Sequence, residues 1–225
     1  MANEKSVSRR KRLLHVGQAL SPANSPRESS FRDLIQVSTI LPRDFYSRPA
    51  IEVARDCLGK IVVHGKTAGR IVEVEAYLGV GDRAAHAWRG VTERTRVIFG
   101  EPGHAYVYFI YGMYECLNFV AEPVGQAGAV LIRALEPMAG IATMRRRRPT
   151  AKNDEDLANG PGKLTLAMGI TRKQNCADLT TSALQVRRLA SEDPFEIVTT
   201  PRIGITHCAD WPLRFVIAGS RFASR

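Results

Sequence analysis

The feature that most constrains this chain is how closely its β-rich runs follow one another. Lys60–His64 and Ala68–Tyr77 are separated only by Gly65-Lys66-Thr67. His104–Ile110 and Glu115–Ala121 stand the same way about Gly112. A parallel crossover takes roughly a dozen residues or more, so neighbours this close form antiparallel hairpins. Ala129–Ala134 reads as a buried strand and Leu213–Ala218 as another. A helix is expected after Pro49, where Ile51, Ala54 and Leu58 share a face and Gly59 stops the run. Two more are expected over Met138–Arg147 and over Pro161–Met168, the latter with Asn159 near its N-cap. The fold class is therefore α+β: a single mixed domain with a curved, largely antiparallel sheet, flanking helices and a protruding β-hairpin.

Organised structure is expected over residues 41–225. Residues 1–40 hold seven basic residues, three acids and seven serines, and Ser21-Pro22-Ala23-Asn24-Ser25-Pro26 has the composition of open linker. They read as a basic, disordered extension. An organelle-targeting peptide is the alternative, and Glu4, Glu28 and Asp33 count against it. Over the whole chain 32 Lys and Arg face 22 Asp and Glu, a net charge of +10. Such a surplus favours a polyanionic partner, nucleic acid ahead of an anionic membrane, with a plain solubility charge as the alternative. The strictly apolar run Ala127–Ile132 is far too short to cross a bilayer. Cys57, Cys116, Cys176 and Cys208 form no C-x-x-C pair. That excludes a dense disulfide framework, a zinc knuckle and a clustered iron–sulfur site. A reducing compartment fits, namely cytoplasm with access to the nucleoid.

The strand Ile71–Tyr77 carries the first chemical signal. Alternation places Val72, Val74 and Ala76 on one face and Glu73, Glu75 and Tyr77 on the other. The carboxylates then face either bulk water or a cleft. His86, nine residues beyond Tyr77, is either a structural histidine or one that lines a pocket. Five of the six tyrosines fall between positions 77 and 114. Tyr106 and Tyr108 share a strand face, and Tyr111 and Tyr114 flank the turn at Gly112. A core explains Tyr106 cheaply, but a turn tyrosine at position 111 points outward and suits a wedge between stacked bases. Tyr77 and Tyr108 would serve as a base-stacking platform. Asn118, inside an apolar strand, needs a hydrogen-bond partner, either backbone or the edge of a purine. Arg133 sits in Val130-Leu131-Ile132-Arg133-Ala134-Leu135 and needs a carboxylate or a phosphate, with Glu75 a candidate partner. Arg145–Arg148 is a solvated helix end or a phosphate contact. Gly160-Pro161-Gly162-Lys163 lacks the spacing and the Ser or Thr of a phosphate loop and reads as a helix start. The zinc-deaminase signature is absent from the sequence.

Taken together, several segments resemble the alkyladenine (3-methyladenine) DNA glycosylase family. They are Arg70-Ile71-Val72-Glu73-Val74-Glu75-Ala76-Tyr77-Leu78-Gly79, Ala84-Ala85-His86, Tyr106-Val107-Tyr108-Phe109-Ile110-Tyr111-Gly112-Met113-Tyr114 and Leu131-Ile132-Arg133-Ala134-Leu135-Glu136-Pro137. Asn159-Gly160-Pro161-Gly162-Lys163-Leu164 and Leu213-Arg214-Phe215 agree with it, so the resemblance spans residues 41 to 225. It implies a monomeric DNA-repair enzyme that needs no metal or cofactor and has no membrane partner. Its partner would be double-stranded DNA containing damaged purines, of the 3-methyladenine, 7-methylguanine, hypoxanthine and ethenoadenine class. It implies Glu75 as general base with Arg133 holding the water, and Tyr77, His86, Tyr108 and Asn118 as the pocket for a flipped base. Tyr111 would be the wedge. No compelling lysine nucleophile is present, so the enzyme would leave an abasic site without cutting the strand. One departure stands out: in Trp88-Arg89-Gly90-Val91-Thr92-Glu93-Arg94-Thr95 the family's basic stretch is shorter, with Thr95 where Asn is expected.

Overall fold

The computed structural model describes residues 30–110 and 112–224. Its centre is a twelve-residue strand, β3 (Thr67–Leu78), paired along one edge with an equally long strand, β6 (Gly128–Ala139). On its other edge the first half of β3 pairs with β2 (Ile61–His64) and Glu73–Glu75 pair with β9 (Arg214–Ile217). Beyond β6 lie β5 (Tyr114–Val120) and then β4 (Ala105–Ile110), joined as a hairpin. Beyond β2 lie β7 (Leu184–Leu189) and β1 (Ser38–Ile40), and β8 (Ile197–Thr200) flanks β9. Every one of these pairings is antiparallel. Irregularities in the β3–β6 register at Ile71–Glu73 and Glu73–Val74 mark a bulge at the site's carboxylates.

The helices are short: α1 (Phe31–Gln36), α2 (Ala50–Cys57), α3 (Ile141–Arg147) and α4 (Pro161–Met168). Val53, Ala54 and Cys57 of α2 and Leu164, Ala167 and Met168 of α4 join Val72, Val74, Ala76, Val130 and Ile132 in the main core. Burying that apolar face of β3 commits the alternate residues to the opposite side of the strand.

Three expectations are corrected. Order begins before Leu41: residues 31–36 are helical and β1 pairs with β7. Arg187 explains why, since its guanidinium holds the Ser38 hydroxyl and the Ile35 and Ser38 carbonyls at 2.7–3.2 Å. Residues 1–29 lie outside the described residues. The strand at 129–134 runs on to Ala139, so the helix starts only at Ile141, after Gly140 turns the chain at φ 73°. A Cβ at Gly140 would fall 2.2 Å from the Lys66 carbonyl, so a side chain there is excluded. The N-cap of α4 is Gly160, while Asn159 instead accepts from Lys163 Nζ at 2.7 Å. Strands β1, β7 and β8 add three elements that local pattern did not mark.

Candidate active site

A cavity of about 380 Å³ opens between the β3–β6 floor, the β4–β5 hairpin, the loop before Trp88, the start of α4 and the segment 203–205. Its size is that of a small-molecule site. Tyr77, His86, Tyr108, Asn118 and Arg133 all line it, so the fold brings together five residues the sequence singled out. Tyr111 lies outside the described residues.

Glu75 is fully buried just behind the lining. Its Oε2 accepts from the Tyr77 hydroxyl at 2.9 Å, and its Oε1 accepts from the Ile203 backbone N–H at 2.8 Å. Arg133 Nη1 lies 3.2 Å from the same Oε1. All three partners line the cavity. A carboxylate offers about four acceptor positions, and these partners occupy three of them. The water-facing reading of Glu73 and Glu75 is thus overturned: both are 0% exposed. They are tolerated because Arg133 and other donors meet them; an isolated carboxylate would not be. Arg133 contacts Glu75 as expected, and it also donates Nε to Glu73 at 2.9 Å. Burial acts against the Arg133 charge, but the two glutamates outweigh it and raise its pKa.

Behind Tyr77 lies a second buried ion pair. Arg202 grips Asp82 through two bonds of 2.6 and 2.9 Å, both side chains fully buried, and donates to the Ala76 carbonyl at 3.1 Å. Its guanidinium sits 4.6 Å from the Tyr77 ring centroid. Asp82 also accepts from the Leu78 and Ala84 amides. The pair therefore ties the segment carrying Ile203 to the loop that leads to His86. Burial, then the neighbouring Glu75 charge, push the Tyr77 phenol above its ordinary range, so it is a hydrogen-bond donor at neutral pH.

The opposite wall is aromatic. Tyr108 meets His86 edge-on at 4.6 Å between centroids, with Tyr106 at 5.2 Å. The Tyr106 hydroxyl is 2.9 Å from His86 Nδ1 and accepts from Arg94 Nε at 3.2 Å. Desolvation and then the Arg94 charge push the His86 pKa down to about 4, so its imidazole is neutral at physiological pH. Asn118 resolves toward backbone: its Nδ2 donates to the Tyr106 carbonyl at 3.1 Å, from a position that still lines the cavity. At the mouth, Tyr114 lines the cavity and is exposed; on the same hairpin Phe109 and Met113 are exposed outside the lining, and Arg172 covers Phe109 at 4.9 Å. Gly162 packs under Tyr114, where a Cβ would come within 2.7 Å of the ring. The Gly160-Pro161-Gly162 segment is therefore both a helix start and a close approach to the hairpin. In the divergent loop, Thr95 is buried and its hydroxyl holds the turn through Thr92 and the Gly90 carbonyl. Arg145 and Arg146 are exposed, and Arg145 pairs with Asp154.

Sequence reasoning did not select Asp82, Arg202 or Ile203 as site residues. Each acts through a partner more than a hundred positions away, and no local pattern marks such a pairing.

Comparison with known proteins agrees with the geometry. The family model for methylpurine-DNA glycosylase matches residues 44–221. A relative from Methanoculleus marisnigri is 53% identical over 191 residues, covering 82% of this chain and 98% of that protein. One from Methanocella arvoryzae is 52% identical, covering 78% of this chain and 89% of its own. One from Alkaliphilus oremlandii is 48% identical, covering 82% and 98%. All three carry 3-methyladenine DNA glycosylase as a provisional name.

Proposed function

Because the chain belongs to the methylpurine-DNA glycosylase family, and so to the enzymes that hydrolyse N-glycosyl bonds in DNA, we propose that it releases damaged purines by a water that Glu75 activates. The substrates are alkylated or deaminated purines in duplex DNA: the 3-methyladenine, 7-methylguanine, hypoxanthine and ethenoadenine class. The nucleotide turns out of the stack and its base enters the cavity. Unpairing costs a few kcal/mol and costs least where damage has weakened the pair, which already favours lesions. Tyr77 and Tyr108 offer π-faces, which suit a base made cationic by alkylation at N3 or N7. Asn118 stands at the purine edge and disfavours the 2-amino group of normal guanine. Tyr111, next to the exposed hairpin residues, fills the gap left in the duplex.

The bond breaks through an oxocarbenium-like sugar. Glu75 takes the proton of a water directed at C1′, and its negative charge favours the cationic sugar. Arg133 steadies that carboxylate and the water. The observation that supports this most is a fully buried carboxylate held by three residues that line the cavity. Cleaving the strand as well would require an amine nucleophile, and no lysine lines the cavity among the described residues. The product is an abasic site on an intact strand, and borohydride is expected to trap no enzyme–DNA adduct.

The direct test is Glu75→Gln, assayed by single-turnover base release beside lesion-duplex affinity. Loss of a general base costs about 10²–10⁴-fold in rate, while affinity should stay within a few-fold. An unchanged excision rate would remove Glu75 from the mechanism. Running 3-methyladenine, 7-methylguanine, hypoxanthine and ethenoadenine side by side ranks the substrates.

A further inference from the structure

Glu73 is the buried acid that this mechanism leaves unused. Its Oε1 accepts from Arg133 Nε at 2.9 Å, Arg214 Nε at 2.7 Å and the Ser224 hydroxyl at 2.7 Å, while Oε2 accepts from the Ser224 backbone N–H. No atom of it reaches solvent. Replacing it alone by an apolar side chain would leave Arg133 and Arg214 short of a counter-charge, which is costly in the interior. The arrangement is more specific than burial requires. Arg133 presents Nε to Glu73 and Nη1 to Glu75, so one planar guanidinium spans the two carboxylates. Arg214, from β9, balances the second negative charge, so the cluster holds two carboxylates and two guanidiniums. Without Glu73, the Arg133 side chain would keep, among the described residues, its Glu75 contact and a 3.4 Å bond to Ser224 to fix its plane.

We propose that Glu73 is a positioning residue: it holds Arg133 by Nε so that Nη1 is delivered to Glu75, and with Arg214 it sets the charge that Glu75 experiences. The inference rests on Glu75 being the general base. The groups facing Glu75 are Tyr77 on its own strand, Arg133 from β6, Cys116 from β5, and Arg202 with the Ile203 N–H from the segment after β8. Glu73 acts on it from one step further, through Arg133, and Arg214 acts through Glu73. A negative neighbour discourages ionisation of a carboxyl and a positive one favours it. Glu73→Gln removes a negative neighbour and Arg214→Gln removes a positive one.

The two substitutions therefore move the acid limb of the excision rate in opposite directions. Single-turnover base release from a 7-methylguanine duplex is measured from pH 4.5 to 8, beside wild type. For Glu73→Gln, whose amide oxygen still accepts from Arg133 Nε but holds it less firmly than a carboxylate, the plateau should fall about tenfold, and the acid limb should move to lower pH because a negative neighbour is gone. For Arg214→Gln the acid limb should move to higher pH. A merely structural role would lower both plateaus and leave both limbs where wild type has them, or shift them together; either result overturns the inference. If Glu73→Gln does not fold, Arg214→Gln carries the test alone, and an unmoved or lowered limb overturns it. Glu75→Gln is run in parallel: if it still excises, the base assignment itself has failed. If it is inactive while the other two keep the wild-type profile, only the role of Glu73 has.

Discussion

At the floor of the cavity, Glu73, Glu75, Asp82, Arg133 and Arg202 are all buried, and each charge meets an opposite one within 3.2 Å. At its mouth Tyr114 stands exposed on a two-stranded hairpin that also exposes Phe109 and Met113, and the wall between floor and mouth is aromatic. The floor is joined by pairs distant in sequence, so it forms only when the whole sheet does. The mouth is built by local pairing of β4 with β5. Buried charge is costly to bring together and costly to separate, which suits a place where geometry must not drift. Exposed aromatic surface, even where a guanidinium covers part of it as Arg172 covers Phe109, suits contact with another molecule. The proposed function assigns the mouth to the duplex and the floor to hydrolysis.

Breaking the floor should give the largest effect on stability. Arg202→Met leaves Asp82 buried without a counter-charge and is expected to cost about 3–5 kcal/mol, read from denaturant unfolding. The double variant Asp82→Asn with Arg202→Met should regain most of that loss. A loss below about 1 kcal/mol for the single change, the level of a surface pair, would show that the floor is not held as described.

The Tyr108 face of the aromatic wall should respond most clearly in binding. Tyr108→Ala removes a stacking face worth about 1–3 kcal/mol per base. Affinity for a lesion duplex at fixed salt should weaken accordingly, while affinity for undamaged duplex changes little. Equal weakening of both would place Tyr108 outside the base pocket.

The smallest effect, and the sharpest in sign, belongs to His86. Its pKa in the folded protein is about 4, below its ordinary 6.5, so the unfolded chain takes up the proton first. The contribution of His86 to stability is complete above about pH 6.5 and declines as pH falls from there toward about 4. The difference in melting temperature between wild type and His86→Gln should shrink over that window. A ring that titrates near 6.5 by NMR would show that the wall does not exclude water from it.

The comparison also explains what could be read in advance. The hairpins were legible because period-two alternation and short glycine turns are local signals, and the face shared by Glu73, Glu75 and Tyr77 follows from the same parity. The helix start at Pro161 was equally local. The end of β6 was misjudged because Met138 and Ala139 suit either a strand or a helix, and Gly140 alone decides where the strand ends. Order at 31–40 was missed because its anchor, Arg187, lies some 150 positions away.

The sequence by itself determined the antiparallel sheet, the side of β3 that carries acids, and the set of aromatic and polar residues available for a site. Alternation and turn chemistry act over a few residues, so they survive without a fold. Only the tertiary structure decided that both glutamates are buried, that Arg133 bridges them, that Arg202 backs Tyr77 and that Ile203 lends Glu75 its amide. Those are electrostatic contacts between distant strands and loops, and their energy depends on a water-free interior that exists only once the strands have packed.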